Sequence, residues 1–151
     1  MIDESVALAK EYFSGKYNCS QSAMKAILVG MKMDFDQIVP LAAGLGAGVA
    51  HEGNVCGAVS GAIAALGVIE SKVHTDVLEQ KEAAYTSGEE LVRRFKMKNE
   101  SILCNHLTGI EMADLKARKD AMKDGIFSKL CPTFVSDAVR IALEIATQEK
   151  D

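Results

Sequence analysis

The chain has 151 residues, 48% of them hydrophobic and 25% charged, with a formal charge of −4, two prolines and no Trp. A chain of this length and composition folds as one globular domain, residues 1–151, and needs no disulfide staples to bury a core, which excludes a disordered protein. Both signs of charge are mixed along it and no basic stripe or aromatic–basic cluster occurs, so nucleic acid is not an expected partner.

The first residues, MIDESVALAKEYF, are acidic where a secretion signal is basic, and a cytoplasmic address is expected. Ala, Leu, Met, Glu and Lys are abundant and β-branched runs are scarce, which favours helix throughout. Asp3 is placed to cap a first helix with Val6, Ala9, Tyr12 and Phe13 at helical spacing, and Gly15 to end it. Asn18 caps a second helix, 19–31, with Ala23, Ala26, Ile27 and Gly30 along one face. Asp34 or Asp36 opens a short third helix that ends near Leu41, and a glycine-rich loop, 44–48, follows. That loop lacks the Lys-Ser/Thr and the strand–helix context of a phosphate cradle.

A fourth helix, 55–69, carries almost no charge and belongs in the middle of a bundle. Its small residues, Gly57, Ala58, Ser60, Gly61, Ala62, Ala64 and Ala65, allow close packing, within one chain or across a homodimer. The apolar region 38–69 is broken at His51-Glu52-Gly53-Asn54, and neither half reaches the roughly 20 residues of a membrane span, so no membrane insertion is expected. Thr75 starts a long polar helix to about 97, with a break at Gly88. Its basic run Arg93, Arg94, Lys96 and Lys98 reads as a solvated face or as a docking site for an acidic partner. Asn99 or Ser101 caps a short helix containing Cys104, and a charged amphipathic helix, 112–123, stops at Gly125. The last helix reads as capped at Cys131, with Pro132 in its first position and Val135, Val139, Ala142, Leu143 and Ala146 on one face. The expected architecture is all-α, a compact bundle of about six to eight helices around 55–69.

Four cysteines carry the chemistry: Cys19, Cys56, Cys104 and Cys131. No Cys-x-x-Cys pair occurs, so neither a thioredoxin pattern nor a zinc ribbon fits. Each falls at or near a predicted helix start, where free N–H groups and the helix dipole favour thiolate and lower the thiol pKa. His51, five residues before Cys56, and His106, two after Cys104, are candidate ligands, proton donors or bases, and Glu52 can orient His51. Gly57 and His51 are the residues placed to contact a bound cofactor.

The segment Cys56-Gly57-Ala58-Val59-Ser60-Gly61 resembles the CGAxxG motif of the C_GCAxxG_C_C family of redox-active proteins. The resemblance extends over Asn18-Cys19-Ser20-Gln21-Ser22-Ala23, the glycine-rich loop, Ala65-Leu66-Gly67, Cys104 and Cys131-Pro132, from about Cys19 to Ala146. It departs at Ala47 and Ala50, where the family leads one to expect glycine. The resemblance implies a redox role carried by the cysteines. A related domain in split-Soret-type cytochromes is associated with an iron–sulfur cluster, but this chain has no Cys-x-x-Cys-His for attached haem.

Three readings follow. In the first, oxidoreductase chemistry runs through thiol–disulfide exchange or electron transfer with a redox partner that the sequence does not identify. There Cys56, left accessible by the loop before it, is the nucleophile, and Cys19 or Cys131 resolves the mixed disulfide. In the second, Cys19, Cys56, Cys104 and Cys131 converge at one end of the bundle and bind metal, as an iron–sulfur cluster or a zinc site. The third is a non-catalytic helical interaction module with incidental thiols.

Overall fold

The structure, a computed structural model, describes residues 1–148. Among these residues eight α-helices and no strand make an all-α fold. The helices are α1 (Ile2–Ser14), α2 (Cys19–Gly30), α3 (Ile38–Ala42), α4 (Gly57–Ser71), α5 (Val77–Asn99), α6 (Cys104–Thr108), α7 (Leu115–Lys123) and α8 (Ile126–Thr147). No helix among the described residues is long and apolar enough to cross a membrane.

The uncharged helix α4 sits in the middle, packed on α2, α5 and α8, and α1 covers α2 and α8. Met24, Ile27, Leu28, Val59, Leu66, Leu91, Phe95, Val135, Val139 and Leu143 are fully buried between them. Burial of such side chains stabilises by about 1.5–3 kcal/mol each and holds the helices together. Small residues set how closely they approach. A Cβ on Gly61 would stand 2.5 Å from the Ser20 carbonyl oxygen and 3.0 Å from Ser20 Cα, so α2 and α4 touch backbone to backbone.

Several boundaries differ from the sequence expectation. Met1, not Asp3, precedes α1; Asp3 lies in its first turn and meets Arg140 of α8 at 2.8 Å. The third helix starts at Ile38, two residues beyond Asp36. Asp76, not Thr75, caps α5, accepting from the Glu79 N–H at 3.1 Å. Gly88 does not break that helix: it is buried against Ile63 of α4, and the burial of Leu91 and Phe95 outweighs the roughly 1 kcal/mol that a helical glycine costs. Asp114 caps α7 through the Ala117 N–H, which leaves Met112 in the preceding turn.

The largest difference is at α8, which begins at Ile126 instead of after Cys131. Gly125 takes a positive φ of 72° and turns the chain directly from α7 into α8. Pro132 is therefore interior, without an N–H for the helical hydrogen bond to Ser128, a defect of about 3 kcal/mol in an isolated helix. The buried stripe Val135, Ala138, Val139, Ala142 and Leu143 overrides it.

Between α3 and α4 the chain makes a 3-10 turn, Ala43–Leu45, then a run of five residues with positive φ: Ala47 (56°), Gly48 (70°), Val49 (66°), Ala50 (49°) and His51 (68°). A left-handed residue with a Cβ costs roughly 1–2 kcal/mol, so surrounding contacts must hold this turn. The Ala50 N–H donates to the Gly44 carbonyl at 2.9 Å, Gly53 to Ala47 at 3.2 Å, and Asn54 to Gly48 at 2.9 Å. Residues 53–56 then run antiparallel to 102–105 around a Val55–Leu103 bridge. The Cys56 N–H donates to Ile102 at 2.7 Å, and Cys104 donates to Asn54 at 2.6 Å. Cys56 and Cys104 are thereby tied to one short ladder.

Candidate functional site

Cys19 is the first residue of α2, Cys56 the cap of α4, Cys104 the first residue of α6, and Cys131 lies inside α8. All four are free thiols. Cys56 is 7% exposed and Cys104 9%, while Cys19 and Cys131 are half-buried. Negative charge on Cys19 raises the pKa of each of the other three, and charge on Cys104 raises those of Cys56 and Cys131. Charges influence one another in this way only across a short, poorly screened distance. Cysteines far apart in sequence are therefore near enough to influence one another's ionisation.

The expectation of lowered thiol pKa values is overturned. Burial raises all four. Cys104 is pushed up to about 11, by burial and then by Cys19, and Cys131 to about 12, by burial and then by Cys19 and Cys104. Cys56 is driven above the usual thiol range by the same two effects, burial first. Removing a thiolate from water is the larger effect, and a helix N-terminus returns only part of it. Cys131 lacks even that return, being inside a continuous helix. The expectation of an accessible Cys56 fails too, since the loop before it folds back and leaves the residue buried.

Cys19 differs in its partners. Burial raises it, but backbone hydrogen bonds from Ala47, Ser20, Cys19 itself and Gly57 all pull the other way. Cys56 receives two, from Ala58 and Val59.

The residues around Cys19 explain the local sequence. Asn18 Oδ1 accepts from the Gln21 N–H, and Gln21 Oε1 from the Asn18 N–H, each at 2.9 Å, a reciprocal cap. Asn18 Nδ2 also donates to the Ala43 carbonyl at 2.9 Å, Ser20 Oγ to Ala42 at 2.8 Å, and Gln21 Nε2 to Val39 at 3.0 Å. The start of α2 is thus bolted to the end of α3. Gly57 gives the sulfur room, since a Cβ there would overlap Cys19 Sγ. Ser22 takes no part in these bonds: it is fully buried on α2, one turn after Cys19, and its Oγ has no hydrogen-bond partner.

Asn105 is a site residue that sequence reasoning missed. Its N–H donates to the Gly53 carbonyl at 3.1 Å, its Oδ1 accepts from Met112 at 3.0 Å, and its Nδ2 donates to Glu111 at 3.2 Å. It also fills the space where a Cβ on Gly53 would stand. An asparagine beside a cysteine carries no recognisable pattern; the signal arises only once 53–56 meets 102–105.

The histidines stand apart from the sulfurs. His51 is exposed at the tip of the left-handed turn, with Glu52 exposed beside it, and His106 is exposed with Nδ1 3.3 Å from Ser101 Oγ. His74 pairs with Glu70 at 3.8 Å, far along α4 from Cys56. Among the described residues no three of His, Cys, Asp or Glu are grouped so as to hold a metal ion. Four thiols are the right donors for zinc or an iron–sulfur cluster, but their present placement does not fit either. The basic run is occupied within the chain as well: Arg93 and Arg94 pair with Glu90, and Lys98 pairs with Asp137 at 2.9 Å.

The chain is thus an all-helical protein with four free cysteines among the described residues. The chain belongs to the family described as "Putative redox-active protein (C_GCAxxG_C_C)", whose model matches residues 17–145. Comparison with curated proteins and with solved structures finds no match.

Proposed function

We propose that this chain is a dithiol redox protein in which Cys19 attacks and Cys56 resolves. The observation that carries the proposal is the packing of Gly57, the residue after Cys56, against the Cys19 sulfur, where a Cβ would overlap Sγ. Cys19 is half-buried where Cys56 is buried. This reverses the roles that accessibility suggested from sequence.

The substrate class is a disulfide, R–S–S–R. The Cys19 thiolate attacks one sulfur, the S–S bond breaks, and one RS⁻ leaves and takes up a proton. The Cys56 thiolate then attacks the Cys19 sulfur, a Cys19–Cys56 bond forms, and the second RS⁻ leaves. Two electrons and two protons pass from the protein dithiol to the substrate. Supporting the pairing, Gly57, next to Cys56, lies against Cys19 Sγ. Cys104 and Cys131 can accept the disulfide by exchange. A cytoplasmic, reducing compartment suits a catalytic rather than a structural disulfide.

The test uses oxidised glutathione and mass analysis of the adduct. Cys56→Ser is expected to accumulate a glutathione adduct on Cys19 that does not resolve, and Cys19→Ser to form none at Cys56. An adduct that resolves normally in Cys56→Ser overturns the pairing.

A further inference from the structure

Of the six non-glycine residues with positive φ, four stand in the loop between α3 and α4: Ala47, Val49, Ala50 and His51. Val49 is β-branched, the residue type least suited to that backbone. The inner edge of the loop is fastened to the thiol site. The Gly53 and Asn54 carbonyls accept from the Asn105 N–H at 3.1 Å and the Cys104 N–H at 2.6 Å. The loop also packs on Gly57, where a Cβ would stand 3.1 Å from Gly46 Cα and 3.2 Å from the Leu45 oxygen. Its outer edge is free: Val49, Ala50, His51 and Glu52 are exposed. A strained segment is therefore held shut by backbone bonds to 104–105 and by its packing on Gly57, beside Cys19 and Cys56.

We propose that residues 44–54 form a gate over Cys19 and Cys56, poised to open by relaxing the left-handed turn, and that its opening is what admits a partner to Cys56. The inference rests on the reading of Cys19 and Cys56 as the reacting pair. Cys56 is too buried to meet a disulfide in the closed form. Backbone strain is stored where a segment must switch, and here it lowers the free energy of opening without loosening α2 or α4. Opening gives up the bonds within the turn and the contacts on Gly57, and it leaves the Asn18–Gln21 cap of α2 intact.

The test is the rate at which each cysteine of the reduced, folded protein is alkylated by iodoacetamide, read by peptide mass. Asn tolerates the left-handed region, so Val49→Asn and Ala50→Asn stabilise the closed gate. Each is expected to slow labelling of Cys56 by about fivefold, with hydrogen exchange of the Ala50, Gly53 and Asn54 amides slowed in parallel. Cys131, on α8, labels at its original rate. Unchanged Cys56 labelling in both folded variants overturns the gate. In the unmodified protein, Cys56 labelling is expected to be nearly flat at low urea, as local opening exposes little surface. Labelling that follows urea as steeply as global unfolding overturns it even if neither variant folds. A protein that labels Cys56 through loop opening yet resolves no glutathione adduct keeps the gate and loses the redox pairing.

Discussion

Gly57 occupies a position where any side chain would overlap the Cys19 sulfur. Gly57→Ala is expected to destabilise the fold by about 1–3 kcal/mol, as overpacking does, and to displace the Cys19 sulfur. Thermal unfolding and the alkylation rate of Cys19 check both effects. Ser22→Ala should act in the opposite direction. It removes a buried hydroxyl that has no partner, and a gain of about 1 kcal/mol in chemical unfolding is expected. The raised thiols also set a pH dependence. Cys104 and Cys131 hold their protons to about 11 and 12 in the fold but titrate near 9.0 once exposed. Their contribution to stability is complete below pH 9 and falls as pH rises from 9 toward 12, because the unfolded state loses these protons first. Stability of the unmodified protein relative to Cys131→Ala, followed from pH 8 to 11, is expected to decline; a flat difference contradicts the burial assigned to Cys131. At this scale the identity of the four cysteines was legible in the sequence. Their ionisation was not, because depth of burial depends on what folds over a residue and leaves no local mark.

Helix starts were legible where one side chain settles them. Asn18 and Gln21 form the reciprocal cap of α2, and the Asn18 side chain holds Ala43 as well. Asn18→Ala is expected to cost about 1–2 kcal/mol in unfolding free energy, the upper part of the range for a lost cap. The misplaced start of α8 shows where local chemistry fails. Cys131-Pro132 reads as a cap followed by a first helical residue, yet helix begins six residues earlier, at Ile126. A proline defect of a few kcal/mol is outweighed by the buried stripe that follows it, and Gly125 supplies the turn. The central position of α4 was visible from its lack of charge. The left-handed turn was marked only by the absence of glycine at Ala47 and Ala50. The ladder between 53–56 and 102–105 was invisible, since pairing two loop segments about 50 positions apart depends on the finished bundle.

As a whole, the molecule sets the start of α2 against the start of α4, with Gly57 on the Cys19 sulfur, and ties the start of α4 to that of α6 through the 53–56 and 102–105 ladder. The all-α bundle followed from composition and periodicity, and the contact between Gly57 and Cys19 became visible only with the packing of α2 against α4. The most direct measurement is a glutathione redox titration of protein purified without oxygen. Free thiols are counted, disulfides are mapped by mass, and iron and acid-labile sulfide are assayed on the same sample. The account predicts metal-free protein that loses two thiols in one reversible two-electron step, with Cys19 joined to Cys56. Iron and sulfide in stoichiometric amount, or a first disulfide that omits Cys19, would contradict it.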